Sequence, residues 1–304
     1  MVLGVGGVLG EAWITGMLAG ISSQTAIDFR ECEYVIGTSA GSIVAAHLAA
    51  GEPPREPPDV GQIDMPAPNG ASAVEDAPNG GPLDALARRA AALGMAVGAP
   101  FAPFALAAAA PGGAMARAAL LARSPSGRFD LDGLGGRIDA LGARFDGRLR
   151  IVAVDRARGR RVVFGEPSSP DARVGEAVEA SCAVPGIFRP IAIGGRTYVD
   201  GGVWSPTNLD VAPVDRGARV LCLTPTGGVG AMRSVTFPWR AISRSATMVE
   251  VAALRRRGAA VTVIAPDRDS ARAMGEDLMN PKRSDRALAA GYRQGREWRG
   301  DVIR

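Results

Sequence analysis

Histidine and lysine are almost missing from this chain: one of each, His47 and Lys282, in 304 residues. A zinc site built on imidazoles therefore has no material, and a catalytic histidine or lysine has one candidate apiece. Cysteine is scarce as well. Cys32, Cys182 and Cys222 are far apart, odd in number and set among apolar neighbours. That excludes a disulfide framework and a metal-ligand pair, and it fits thiols packed as small core residues in a reducing, cytoplasmic compartment. Aromatic residues are 5% of the chain, and the 35 cationic side chains, all but one arginine, form no dense stripe and leave a net charge of only +4. A nucleic-acid partner has no platform to bind. One long uncharged run, residues 90–116, would reach across a bilayer, but Pro100, Pro103 and Pro111 interrupt it and much of the rest is alanine. A spanning helix is not expected there. Residues 1–10 are taken up by a first strand and its loop, with no charged region ahead of them, which leaves no place for a signal peptide. The brevity of that strand leaves room for a start upstream of Met1.

What the chain does have is 47% hydrophobic content, ample for a large core, and a length that suits one α/β domain with an insertion. It also has one serine in a telling setting. Gly37-Thr38-Ser39-Ala40-Gly41 follows the apolar run Tyr34-Val35-Ile36 and leads into Ser42-Ile43-Val44-Ala45-Ala46. The order reads as strand, sharp turn and helix, with Ser39 at the apex and glycines letting the backbone pass close by. The hydroxyl then stands over a helix N-terminus, where developing negative charge is favoured. The bland alternative is an ordinary helix start capped by Ser39 or Ser42.

A serine hydroxyl needs a base. His47 lies eight residues down the helix that the turn launches, about 12 Å along its axis at 1.5 Å per residue, so a Ser-His-Asp triad is not expected. His47 reads as an ordinary helix residue. Lys282 sits in a charged segment with no glycine-rich setting. A carboxylate, the lysine or a water remain, and among carboxylates Asp200 stands out. It closes the apolar strand Tyr198-Val199-Asp200 and is followed by Gly201-Gly202, a pattern that by itself is usually only a turn.

The third element is Gly4-Val5-Gly6-Gly7-Val8-Leu9-Gly10, between Val2-Leu3 and an apolar helix-like stretch from Ala12 to Ala19. Such a turn leaves backbone N–H groups pointing at open space, a cradle for an anion. Counted from Gly4, the sixth place of a dinucleotide fingerprint falls on Leu9, and no Gly-Lys-Ser or Gly-Lys-Thr is present for a Walker loop. An oxyanion hole asks only for exposed donors near a nucleophile.

In this order, the glycine-rich loop, the Gly-x-Ser-x-Gly turn and the late Asp-Gly-Gly resemble the patatin-like phospholipase family. Ala180-Ser181-Cys182-Ala183-Val184-Pro185-Gly186-Ile187-Phe188-Arg189-Pro190 is similar to the family's segment ahead of its catalytic aspartate, and Leu149–Asp155 with Gly159–Phe164 is similar to its central strand pair. The likeness covers roughly residues 1–52 and 130–290, with nothing recognisable between. It implies a three-layer α/β/α sandwich around a mostly parallel sheet, one domain over 1–304, with an inserted alanine-rich helical segment. It implies Ser39 as nucleophile and Asp200 as general base of a Ser–Asp dyad, and an oxyanion hole from the N–H groups of Gly6, Gly7 and Val8. The implied activity is hydrolysis of lipid or phospholipid acyl esters through an acyl-enzyme, with no metal or organic cofactor. Two residues depart from the family loop: Val5 stands where glycine is general, and Leu9 where arginine or lysine is. These departures motivate an alternative, a catalytically inactive lipid-binding or regulatory protein of the same fold. A nucleotide-binding protein using the N-terminal loop is a third reading.

Residues 52–82 hold eight prolines and no aromatic residue and read as loop. Residues 83–123 return to helix-forming composition, as a buried helical insertion or an apolar lid with Phe101, Phe104, Leu106 and Met115 as lipid contacts. The 90–116 run within it is the candidate for peripheral membrane contact. Further strands are expected at Arg219–Leu223 and Val261–Ile264, a helix near Val174–Ala183, and surface helices at Asp267–Leu278 and Arg283–Arg299.

Overall fold

The computed structural model describes residues 1–58, 113–131, 133–227 and 237–300, with the backbone alone for 237–244. The first strand, β1 (Val2–Leu3), is two residues long and lies at the centre of the sheet. It holds there because β2 (Val35–Thr38) and β7 (Arg219–Leu223) pair with it in parallel on both edges, Leu3 opposite Gly37 on one side and Leu223 on the other. Next to β2 runs β3 (Leu149–Asp155), also parallel, and next to β7 runs β8 (Ala260–Ile264), parallel again. Antiparallel strands finish the other end: β4 (Arg160–Phe164) and β6 (Arg196–Asp200) both pair with β3, and β5 (Ile191–Ile193) pairs with β6. The result is an eight-stranded, mostly parallel sheet.

Strand side chains alternate between two cores, as a pleat with both faces covered requires. Leu3, Val35, Ile151, Ala153, Leu221 and Leu223 enter the larger core, while Val2, Ile36, Val152, Val220 and Cys222 enter a smaller one behind the sheet. The larger core is roofed by α1 (Gly7–Gln24), α2 (Ala40–Ala49), α4 (Leu134–Ala140), α5 (Val174–Cys182) and α8 (Ser284–Glu297). The smaller is covered by α6 (Phe237–Arg256) through Val251 and Leu254. This is the three-layer α/β/α arrangement expected. Two short helices complete the described elements, α3 (Gly113–Arg123) and α7 (Arg268–Met274). Residues 52–58 carry no regular structure, and α3 is the described end of the helical stretch expected at 83–123. The lid or buried role of 83–112, and most of the 90–116 run, lie outside the described residues. Among the described residues no helix is long and apolar enough to cross a membrane.

The C-terminal helix differs from a plain surface helix. α8 buries Ala287, Leu288, Ala290, Gly291, Tyr292 and Gly295 against α1, and the two backbones touch. A Cβ on Gly16 would overlap the carbonyl of Leu288, so the crossing exists only because small residues face each other. Trp13 Nε1–H donates to Gln294 Oε1 at 3.1 Å across the same contact.

Candidate active site

The topology brings Ser39 and Asp200 together. Ile151 and Val152 pair with β2 on one side and β4 on the other, and Ala153 to Asp155 pair with β6 and β4. Strands β2 and β6 therefore share one edge of β3 and approach each other end to end. Thr38 closes β2 opposite Val152, and Asp200 closes β6 opposite Ala153, the next residue along. The residues that follow the two strand ends must meet there.

Ser39 turns between β2 and α2 with φ 53 and ψ −124, one of two non-glycine residues with positive φ among those described. Such a conformation costs on the order of 1–3 kcal/mol and persists only where its surroundings impose it. They do. A Cβ on Gly41 would overlap the carbonyl of Leu3 in the neighbouring strand. The amide of Ser39 donates to Ser181 Oγ at 2.9 Å, and the Ser181 hydroxyl donates to the Val152 carbonyl at 2.6 Å. The capping alternative is not what is seen. The Ser39 side chain makes no capping hydrogen bond, and the Ser42 hydroxyl turns back to the Ser39 carbonyl at 2.6 Å. The Ser39 hydroxyl is thus not spent on the helix end, in a residue only 7% exposed.

Asp200 is fully buried. Its amide donates to the Ala183 carbonyl at 3.0 Å, and Oδ1 accepts the Gly202 amide at 2.7 Å. Burial raises its pKa from 3.8 to about 7, against the Gly202 amide and the Ser39 hydroxyl, both of which favour the charged form. Oδ2 has no hydrogen-bond partner; the hydroxyl stands close enough to act on the carboxyl's charge without a formed bond to that oxygen. Cys182 lies beside them, 3.9 Å from Ser42 Oγ. Burial and the Asp200 charge push its thiol well above the ordinary range, so it stays a protonated, unreactive thiol.

The glycine-rich loop leaves β1 at the same end of the sheet. Val5 N–H donates to the Pro206 carbonyl and Leu9 N–H to that of Leu278. The amides of Gly6, Gly7 and Val8 have no acceptor among the described residues, and they sit at the N-terminus of an 18-residue helix that carries no acidic side chain in its first turn. Gly7 has φ +60, and a Cβ on it would meet the Leu278 carbonyl at 2.8 Å. Both departures from the family loop are absorbed by packing: the Val5 and Leu9 side chains are 2% and 0% exposed. No cation stands at position 9, and none could without leaving the core.

His47 is half-buried on the far part of α2 and pairs with Glu52, away from Ser39. Lys282 is exposed in the turn Pro281–Arg283. Three polar groups near the site were not anticipated: Ser181 under the turn, the buried Asn208, and Glu250 on α6. Burial raises the Glu250 carboxyl to about 7, with Ser205, Thr207 and the Leu209 amide opposing. Beyond Asp200, the Trp204 ring carries the guanidinium of Arg117 at 4.2 Å and that of Arg161 at 5.1 Å. Among the described residues no cluster of histidine, cysteine, aspartate and glutamate could hold a metal ion.

Comparison with protein families matches residues 70–213 to the family described as Patatin-like phospholipase. The match takes in Ser181, Asp200 and Asn208, while the Ser39 turn and the N-terminal loop precede it. It also runs through the stretch between 70 and 129, where the sequence alone offered nothing recognisable. Together with the mixed α/β sandwich on its mostly parallel sheet, the match identifies a patatin-like phospholipase domain in this chain.

Proposed function

We propose that the protein is a serine hydrolase of lipid or phospholipid carboxylic esters, working through an acyl-enzyme on Ser39. The Asp200 carboxylate takes the Ser39 proton as Oγ attacks the ester carbonyl carbon. The resulting tetrahedral oxyanion accepts hydrogen bonds from the amides of Gly6, Gly7 and Val8 and gains from the positive end of α1. Collapse breaks the carbon–oxygen bond to the leaving alcohol, which takes its proton from Asp200. A water, deprotonated by Asp200, then attacks the acyl-serine; the bond from Oγ to the acyl carbon breaks, Oγ recovers its proton from Asp200, and the fatty acid leaves. No step calls on a metal or organic cofactor.

The observation that carries this reading is the shared edge of β3, which sets the ends of β2 and β6 one residue apart. The carboxyl is suited to its part. A pKa near 7 leaves it substantially charged at neutral pH yet basic enough to accept a proton in the transition state. Each oxyanion donor contributes about 2.7–4 kcal/mol to barrier lowering in well-studied serine hydrolases, so the free amides of the loop matter as much as the dyad. A cytoplasmic setting and contact of residues 90–116 with a lipid surface belong to the same reading.

Turnover of p-nitrophenyl esters by the wild type, lost in Ser39→Ala at an unchanged melting temperature, is the expected result. A fluorophosphonate probe should label Ser39. A wild-type chain that neither turns over esters nor takes the label, yet binds phospholipid vesicles, would instead be the inactive lipid-binding protein.

A further inference from the structure

Strands β2 and β6 lie end to end along β3, and among the described residues no backbone hydrogen bond joins one to the other. The ladder sets the two strand ends one residue apart on β3, but it does not hold the turns beyond them, from which the Ser39 side chain and the Gly201-Gly202 segment depart. One buried side chain joins the two directly. The Asn208 carboxamide nitrogen lies 3.2 Å from Thr38 Oγ1 and 3.2 Å from the Gly201 carbonyl, with a third acceptor in the Ser205 carbonyl at 2.8 Å. Thr38 immediately precedes Ser39, and Gly201 immediately follows Asp200. The amide's other end accepts from Arg161 at 3.3 Å, which agrees with nitrogen facing the two strand ends.

We propose that Asn208 is a positioning residue for the Ser39–Asp200 pair, its amide fastening the strand that ends at the serine to the turn that starts after the aspartate. This rests on the hydrolase reading above. Asn208 is fully buried and adopts φ 50, a left-handed conformation that asparagine tolerates better than most residues. It is held from both flanks. Its own amide donates to Ser205 Oγ at 3.2 Å, while the Thr207 hydroxyl and the Leu209 amide donate to Glu250 Oε2 at 2.6 and 2.8 Å. A buried carboxylate on α6 thus grips the residues on either side of the asparagine. Ser181 secures the opposite side of the same junction by bridging the Ser39 amide and the Val152 carbonyl. A side chain that only closed its own turn would not need to reach the two residues adjoining the dyad.

The test uses the full chain and p-nitrophenyl butyrate, comparing wild type with Asn208→Gly and Asn208→Asp, since glycine and aspartate both accept the left-handed backbone. Misplacing reacting groups by about 1 Å costs on the order of 100-fold. The expected result is a fall in kcat of about 10- to 100-fold with KM changed less than about threefold. The acid limb of the kcat–pH profile should move upward, most clearly in Asn208→Gly, because the Ser39 hydroxyl no longer helps keep Asp200 charged. A folded variant with wild-type kcat and an unmoved limb overturns the proposal. If neither variant folds, Thr38→Val decides, since it keeps the strand and deletes only the accepting oxygen. A lowered kcat and raised limb in it support the tie, and wild-type values overturn it. Wild-type chain lacking Ser39-dependent turnover would overturn the hydrolase reading, and the positioning role with it.

Discussion

Replacing Asp200 with asparagine should make the protein more stable and catalytically dead, and the size of the first effect follows from the burial of the carboxyl. In the unfolded chain the group ionises at 3.8; in the fold, desolvation raises that to about 7. Those about three decades of proton affinity correspond to about 4 kcal/mol. The sign is fixed by linkage. Between pH 4 and 7 the folded state holds a proton that the unfolded state has lost, so stability falls as pH rises through this window and is lowest above 7. Asparagine carries no charge and escapes that cost, but its NH2 group must find acceptors where Oδ2 now has no partner, a cost of about 1–3 kcal/mol. Asp200→Asn should therefore gain about 1–3 kcal/mol over wild type at pH 8, whereas at pH 4, where the wild-type carboxyl is protonated and the ionisation cost is gone, the unmet NH2 group should leave it about 1–3 kcal/mol less stable. Glu250, raised to about 7 in the same way, is present in both proteins and cancels in the comparison. Urea unfolding at the two pH values measures the difference, and ester hydrolysis by wild type should show an acid limb near pH 7. A variant equally destabilised at both pH values would refute the buried, charged base.

Two further substitutions probe the supports of the site. Ser181→Ala removes the hydroxyl that receives the Ser39 amide and caps the Val152 carbonyl, leaving two buried backbone groups unpaired. It should cost about 1–3 kcal/mol in urea unfolding, and a change below 0.5 kcal/mol would show that the elbow is held elsewhere. Gly16→Ala drives a methyl group into the Leu288 carbonyl and must separate α1 from α8. A loss of at least about 1–3 kcal/mol is expected, read as a lowered melting temperature, and a neutral result would mean that the crossing can relax.

How much of this could be read before any coordinates depends on whether the signal is local. The turn at Ser39 announces itself because strand, glycines and helix are contiguous, and β7 occupies the expected Arg219–Leu223. The short apolar strand into Asp200 is equally visible. Elements whose character is set by distant partners were less so. α4 carries two glycines in seven residues, and α6 has mixed charge along its length; neither has the periodicity that marks a helix. β5 is three residues long and exists because β6 pairs with it. α8 looked like a solvated helix because its charges are conspicuous, whereas the face it buries against α1 is mostly alanine and glycine around Leu288 and Tyr292, a weak hydrophobic signature.

The same distinction separates the two halves of the site. The turn at Ser39 is announced by contiguous glycines between a strand and a helix, so its setting is legible in five residues although distant partners hold it. Asp200 becomes a plausible base only by losing water, and water is excluded by β3, by α5 and by the serine turn itself. In sequence it is one carboxylate before two glycines, a pattern that ordinarily marks a surface turn. Asn208 and Glu250 are harder still: each is an isolated polar residue whose ordinary place is in solvent. Their burial is the informative fact, because each is surrounded by partners that would otherwise lie unpaired. A buried polar network is costly when incomplete, and this one borders the proposed Ser39–Asp200 pair where the two turns leave the sheet. Polar groups placed so close to a strained serine are better understood as holding a geometry than as supplying stability, since apolar residues of similar volume would fill the same space at lower cost.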